Sequence, residues 1–136
     1  MLRYGRLYQR QISNFNAAFA DAEAGELIAW SRILDEEEAL CVVNGNGTQA
    51  RGGDVTVDAQ LNAADAAGQP WSAAGPGMSV IANSAQAAFK ALHPGQAYAG
   101  PHPIGQRLPV LLRDGACFVE IRDLSASEVL VLVNRD

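Results

Sequence analysis

The chain has 136 residues, of which 49% are hydrophobic and 18% are charged, and its formal net charge is −5 at pH 7. This composition is typical of one soluble globular domain, and residues 1–136 are predicted to form it. A (β/α)8 barrel needs about 200 residues or more, so chemistry that depends on that scaffold is excluded. The acidic balance argues against nucleic acid and against anionic membranes as partners, because both attract basic patches.

The N-terminal residues and the hydropathy of the chain predict its compartment. Arg3 and Arg6 supply early positive charge, but the run of about 7–15 apolar residues that a signal peptide needs does not follow them. No stretch approaches the roughly 18 consecutive apolar residues of a membrane helix. A cytoplasmic protein without a membrane span is therefore expected.

Alternation of apolar and polar side chains with a period of two residues runs through most of the chain and predicts β-strands. The predicted strands cover residues 7–12, 27–33, 40–44, 54–58, 78–83, 108–112, 117–122 and 129–133. Residues 16–26 fit either a helical turn or an ordered loop, and residues 84–92 are ambiguous because their apolar positions also fit helical spacing. Residues 61–77, rich in Ala, Gly, Pro and Asp, predict an exposed loop.

Turn signals separate the predicted strands. Gly45-Asn46-Gly47 and Gly52-Gly53 predict turns, and Asp114-Gly115 predicts a hairpin. Pro109 is expected at a strand start or on an edge strand. The strand at 129–133 is apolar on both faces, so it should be central or covered by another element or subunit. Together these signals predict an all-β fold, an antiparallel β-sandwich of about eight strands.

Two cysteines, Cys41 and Cys117, each lie in an apolar run. Cysteines on facing sheets can form a disulfide, whereas a chain without an export signal favours two buried free thiols. Two cysteines without a nearby pair of histidines do not make a zinc site.

Several strand segments resemble the C-terminal all-β domain of some α-amylase-family glycoside hydrolases, in the same order and spacing over most of the chain. The matching segments are QRQIS at 9–13, AWSRIL at 29–34, EALCVVN at 38–44, VTVD at 55–58, VEIRDL at 119–124 and EVLVL at 128–132. In that family the domain is a sandwich that packs against a catalytic barrel, and the barrel carries the carboxylates that cleave the glycosidic bond.

The resemblance implies a non-catalytic accessory domain with a structural or partner-docking role and no cofactor. Because Met1 stands just before the first matching segment, we expect a free-standing version of this domain without the barrel. Its expected partner is either a second copy, giving a homodimer, or a separate catalytic-barrel protein. The alternative interpretation is a small carbohydrate-binding module for α-glucans.

Glycoside hydrolysis needs two carboxyl groups about 5–9.5 Å apart, one of them with a raised pKa. The acidic run from Asp35 to Glu38 offers adjacent carboxylates, but such a run between strands is typical of a solvated loop. No catalytic residue is therefore assigned.

Sugar binding requires an exposed aromatic ring flanked by hydrogen-bonding groups. Trp71, with Gln69 beside it, is the best candidate, although this ring can instead fold back over the end of the sandwich. Trp30 lies in an apolar strand and is expected in the core.

His93 and His102 lie nine residues apart in a loop rich in Gly and Pro, near Tyr98. A metal pair needs at least a third ligand, and none is evident, so no metal site is predicted. Both histidines are expected to be exposed, and with Tyr98 they are the remaining candidates for ligand binding.

Overall fold

The computed structural model describes residues 5–15, 17–63 and 76–134, which form two antiparallel sheets. The strands are β1 (Arg6–Arg10), β2 (Ile12–Ser13), β3 (Leu27–Leu34), β4 (Glu37–Asn44), β5 (Arg51–Val57), β6 (Gly77–Asn83), β7 (Arg107–Pro109), β8 (Leu111–Arg113), β9 (Ala116–Leu124) and β10 (Val129–Val133), and the helices are α1 (Ala59–Ala63) and α2 (Ser84–Leu92). The six-stranded sheet has the order β1-β3-β4-β10-β6-β7, and the four-stranded sheet has the order β2-β5-β9-β8. The predicted all-β class is confirmed.

Two of the predicted strands are each divided between the sheets. The strand predicted at 7–12 becomes β1 in the six-stranded sheet and β2 in the four-stranded sheet. The strand predicted at 108–112 likewise becomes β7 and β8, which meet at Val110. These crossings account for the ten strands of the described part of the chain, against about eight predicted. Pro109 lies on β7, an edge strand, where its missing N–H breaks no ladder.

The ambiguous segment at 84–92 is helix α2. Its start is fixed by Asn83, whose side-chain oxygen accepts a hydrogen bond of 3.0 Å from the backbone N–H of Gln86. The loop predicted from 61 to 77 is wrong at both ends, because residues 61–63 belong to α1 and β6 begins at Gly77. Residues 17–26 form an ordered loop, held by a backbone bridge between Ile12 and Ala20.

Gly52 and Gly53 do not form the predicted turn but lie within β5, where the pairing with β9 shifts register. A Cβ at Gly52 would stand 2.8 Å from the Ile121 carbonyl oxygen, and one at Gly53 would stand 2.9 Å from that of Ser13. Glycine is needed here because neighbouring backbone comes too close for a side chain.

The hairpin and the central strand match the sequence signals. Asp114 and Gly115 have φ of 53° and 77° between β8 and β9, as a tight hairpin turn requires. The doubly apolar strand β10 lies between β4 and β6 in the middle of the six-stranded sheet.

The core fills the space between the two sheets. Its largest fully buried apolar side chains come from both sheets and are Leu27, Leu40, Met78, Ile121, Leu124, Leu130, Leu132, Val42, Val55, Val80 and Val119. Burial of each such side chain contributes about 1.5–3 kcal/mol, which offsets the entropy lost on ordering the chain.

Cys41 and Cys117 are both buried free thiols. Cys117 pairs with Val57 on the side that faces the core, whereas Cys41 pairs with Trp30 and Val131 on the opposite side of the six-stranded sheet. The six-stranded sheet therefore separates the two sulfur atoms, and a disulfide between them does not form.

The described helices have five and nine residues, too few for either to cross a membrane.

Gly52→Ala tests the close approach of β5 and β9. We expect the free energy of unfolding to fall by about 1–3 kcal/mol, because the new methyl group forces backbone apart. Gly47→Ala is the matched control, since no atom lies within 4 Å of its added Cβ, and it should change stability by less than about 0.5 kcal/mol. Urea unfolding of both variants gives the comparison, and equal losses would contradict the packing described.

Candidate functional site

The side of the six-stranded sheet that faces away from the core, here called the outer face, is apolar. Strand register places the following apolar residues on it: Leu7, Ile28, Trp30, Leu34, Ala39, Cys41, Val43, Ala82, Val129, Val131 and Val133. An antiparallel sheet with one face on the core normally turns polar residues toward solvent. The outer face therefore has the apolar composition that is typical of a surface in contact with another element or protein.

Several of these side chains are exposed in the isolated chain. Ile28 is 44% exposed, Leu34 is 42% exposed and Val129 is 38% exposed. Register places charged residues of the described strands at the edges of the outer face: Arg32 and Glu37 near the β3–β4 hairpin, and Arg107 on the edge strand β7. Ile28 and Val129 flank the half-buried Val43, and exposed apolar side chains that lie together in this way are typical of sites of protein contact.

Trp30 is not in the core, as the sequence suggested, but half-buried on the outer face. It lies between Gln9 of β1 and Cys41 of β4, because Leu27, Ala29 and Ser31 take the inward positions of β3. β3 has apolar residues on both of its faces, so its sequence does not show which face is in the core. Trp30 lies on the face that is turned away from the core.

The predicted solvated acidic run divides into a hairpin and a buried carboxylate. Asp35, with φ of 54°, and Glu36 form the turn between β3 and β4. Glu38 lies on β4 with its side chain turned inward and completely buried, so the expectation of a solvated loop is wrong at this residue.

Both carboxylate oxygens of Glu38 are occupied. Oε1 accepts hydrogen bonds from Arg10 at 2.9 Å and from the Ser31 hydroxyl at 2.5 Å. Oε2 accepts from Asn62 Nδ2 at 2.6 Å and from the Asp58 backbone N–H at 3.1 Å. Glu38 thus ties β1, β3 and α1 together, and it has the contacts of a structural ion pair.

Glu38→Gln tests this network. The substitution leaves the Arg10 guanidinium without its counter-ion, and loss of one partner of a buried pair costs about 3–5 kcal/mol. The Arg10 side chain keeps 14% of its surface in water, so we expect a loss near the lower figure, about 3 kcal/mol. The control Glu37→Gln removes an exposed carboxylate one residue away and should shift the unfolding free energy by under about 0.5 kcal/mol.

His102 is buried, contrary to the expectation of an exposed loop histidine. Its Nε2 lies 2.9 Å from both the backbone nitrogen and the carbonyl oxygen of Arg122, and its Nδ1 lies 3.0 Å from Gln106 Oε1. The ring attaches the loop at 93–106 to β9, and its nitrogens are already bonded.

His93 and Tyr98 come together around Phe89 of α2. The His93 ring centroid lies 4.7 Å from that of Phe89, and the Tyr98 centroid lies 5.8 Å from it. His93 is exposed, and the Tyr98 hydroxyl donates to the carbonyl of Pro101 at 3.1 Å. Burial raises the pKa of Tyr98, and the nearby Glu128 carboxylate adds to the rise.

The two remaining candidates from the sequence, Trp71 and Gln69, lie outside the described residues. Their assignment as ligand-binding residues stays a prediction. The described residues of 5–15, 17–63 and 76–134 hold no group of three or more His, Cys, Asp or Glu arranged for a metal ion.

Burial raises the pKa of the Cys41 and Cys117 thiols. A thiol reacts as its thiolate, so both sulfur atoms are poor nucleophiles at neutral pH.

A polar cavity of about 380 Å³, here called the loop-end cavity, opens at one end of the sandwich. Its walls come from both ends of the loop between β2 and β3, from the turn after β4 and from the start of β5. The polar side chains that line it are those of Asn14, Glu26, Asn46 and Arg51. Sequence analysis missed this cavity because its residues lie far apart along the chain; Asn46 and Gly52 carried local signals, but only as parts of predicted turns.

Glu26 is the carboxylate of this cavity. Its Oε2 accepts from the Glu23 backbone N–H at 2.9 Å, and its Oε1 accepts from Asn14 Nδ2 at 3.1 Å. These hydrogen bonds, together with the positive charge of Arg51, lower the pKa of Glu26.

Glu128, in the connection from β9 to β10, has the opposite shift. It is 4% exposed, and its Oε2 accepts from the Ser125 backbone N–H at 2.6 Å. Its Oε1 has no hydrogen-bond partner within the described part of the chain. Burial raises its pKa, and the Ser125 bond and the nearby His102 only partly oppose the rise.

The two shifts predict opposite pH effects. Above the ordinary glutamate pKa of 4.5, the folded state holds the Glu128 proton that the unfolded state has released, so stability falls as pH rises through the folded pKa. Glu128→Gln should therefore gain stability relative to the parent as pH rises from 4.5 to 7.

Glu26→Gln is the control, because the pKa of Glu26 is lowered and its effect on the pH dependence of stability is therefore opposite to that of Glu128. Its carboxylate stabilises the fold above its unfolded pKa of 4.5 and loses that effect as pH falls through the folded pKa. The variant should thus lose stability relative to the parent as pH rises toward 4.5, and the difference should stay constant above that pH. Thermal melts from about pH 3 to about pH 7 measure both slopes, and a flat difference for Glu128→Gln above pH 4.5 would contradict its burial.

Comparison with known proteins gave no relative: no family model, curated protein or solved structure matches this chain.

Proposed function

We propose that this chain is a non-catalytic β-sandwich of the kind that accompanies α-amylase-type catalytic barrels, and that its outer face docks onto such a barrel. The observation that carries the proposal is the apolar composition of the outer face. Ile28, Val43 and Val129 form one cross-strand row on it, and Trp30, Cys41 and Val131 form the next.

The composition of the outer face suits a protein interface. The centres of interfaces are depleted of charge and enriched in aromatic residues, and a central tryptophan is a frequent energetic hot spot. Trp30 has apolar neighbours on β4. Arg32 and Glu37 lie toward the hairpin, and Arg107 lies on the edge strand β7. The outer face thus offers an apolar middle with charge at its edges.

The segments that resemble the accessory domain are also those that build the outer face. AWSRIL forms most of β3, EALCVVN forms most of β4, and EVLVL covers the first four residues of β10. The resemblance and the apolar surface therefore support the same role from the same strands.

The contacts of the acidic residues support the non-catalytic part of the proposal. A glycosidase needs a carboxylic acid and a second carboxylate facing a substrate across a cleft. Glu38 is wholly buried with both oxygens bonded, and Asp35 lies in the hairpin turn beside it. The Glu38 carboxylate thus acts in folding.

The test uses the chain and an α-amylase-type catalytic barrel that lacks a C-terminal sandwich of its own, mixed and studied by calorimetry and sedimentation. We expect a complex between the two proteins, and Trp30→Ala should weaken it at least about tenfold, because a buried aromatic anchor carries much of the binding energy. Ile28→Lys should abolish the complex by placing a charge in its dry centre.

Leu112→Lys is the matched control, since Leu112 is 73% exposed on the edge strand β8 of the other sheet. This variant should bind the barrel like the parent. A homodimer that Ile28→Lys dissociates, without any barrel complex, would show that a second copy covers the outer face and would overturn the proposal. A chain that stays monomeric and binds no barrel would overturn it as well.

A further inference from the structure

The loop-end cavity combines a suitable size with unusual chemistry. Its volume of about 380 Å³ lies within the range of roughly 300–1,000 Å³ found for small-molecule sites. Such sites are usually lined by apolar side chains, whereas this one is lined mainly by amide, carboxylate and guanidinium groups. A ligand that fits it must satisfy many hydrogen bonds and bury little apolar surface.

Hydrogen-bonding capacity is left over on the cavity walls. Arg51 donates from Nε to the Gly25 carbonyl at 3.3 Å, so its two terminal nitrogens have donors to spare within the described residues. Asn14 uses its Nδ2 to reach Glu26, which leaves its Oδ1 as an acceptor. Asn46 uses its Oδ1 to bind the Thr48 and Gln49 N–H groups, which leaves its Nδ2 as a donor.

The charges in the cavity balance. Arg51 and Glu26 have opposite charges and interact electrostatically. A charged ligand would therefore gain from one of these residues and lose to the other. The mixture of donors and acceptors suits a neutral molecule whose groups both donate and accept, which is the property of a hydroxyl group.

An aromatic ring stands near the cavity. Phe15, which follows Asn14, is 38% exposed, and its Cζ would lie 3.1 Å from a Cβ added to Gly52 of the cavity wall. Its backbone has φ of 40°, a strained value for a bulky residue, and such strain is concentrated at functional sites. The Arg122 guanidinium lies over the ring at 4.8 Å and holds it in place.

The walls are preorganised. The side chain of Asn44 is buried, and its Nδ2 donates to the Gln49 and Leu124 carbonyls at 2.9 and 3.0 Å. Its Oδ1 accepts from the Asn46 backbone N–H at 2.9 Å. The turn that presents Asn46 is thus fixed before a ligand arrives, which reduces the entropy lost on binding.

We propose that the loop-end cavity binds a neutral saccharide unit, with Arg51, Glu26, Asn14 and Asn46 as hydrogen-bonding partners of its hydroxyls and Phe15 as the nearby aromatic surface. This site is distinct from the outer face, because its polar lining residues belong to loops and to the start of β5.

The test is an NMR titration of the isotope-labelled chain with maltotriose and, in parallel, with cellotriose, each up to about 50 mM so that even millimolar affinity is detected. We expect saturable shifts confined to residues 14–15, 24–27, 46 and 51–52, and the preferred trisaccharide identifies the linkage recognised. Arg51→Ala should weaken binding about tenfold or more, because it removes charge-assisted hydrogen bonds. Arg6→Ala, at the far end of β1, should bind like the parent.

Glu26→Gln provides a second variant and should also weaken binding, with the dispersion of the amide spectrum showing that the fold is kept. No saturable shifts with either trisaccharide would overturn the proposal. Binding that Trp71→Ala removes and Arg51→Ala leaves intact would place the saccharide elsewhere and would overturn it too. Binding of sodium glucuronate without binding of the neutral sugars would show an acid site instead. None of these readouts depends on docking of a barrel.

Discussion

The six-stranded sheet is apolar on both faces, and this constraint governs the rest of the structure. One face meets the four-stranded sheet and forms the core through Leu40, Val42 and Leu132. Burial of that face is enough to fold a sandwich, so selection for stability alone would leave the other face polar. The outer face, which carries Trp30 and three valines of β10, is therefore the feature on which the proposed docking rests.

The buried carboxylate of Glu38, at the end of the sandwich where β4 begins, is not explained by apolar packing. Glu38 occupies an inward position of β4 that an apolar side chain could fill, and a buried ion pair is seldom worth more than such packing. Its contacts explain its presence, because it joins Arg10 of β1, Ser31 of β3 and Asn62 of α1. A carboxylate accepts several hydrogen bonds with defined directions, so it specifies how these three elements meet, which apolar packing would leave less determined.

The class of fold could be predicted because its signal is local. The alternation in β9 and the Asp114-Gly115 turn each specify a strand or a hairpin without reference to distant residues. The predictions that were wrong concern residues whose environment is set by contacts with distant parts of the chain. Nothing near Gly52 in sequence shows that the Ile121 carbonyl lies against it, and nothing near His102 shows that it bonds to Arg122. The apolar surroundings of Trp30 suggested the core, because periodicity identifies an apolar face but not what covers it.

The outer face and the loop-end cavity are neighbours in the structure. Glu26 lies in the cavity, and Ile28, two residues further on, lies on the outer face. Gly45 joins them: its N–H donates to the Glu26 carbonyl at 3.0 Å, and a Cβ at this residue would lie 3.2 Å from Ile28 Cδ1. A partner docked along the Ile28–Val43–Val129 row therefore ends beside the cavity mouth. A saccharide held by Arg51 and Asn46 would lie at the rim of that interface.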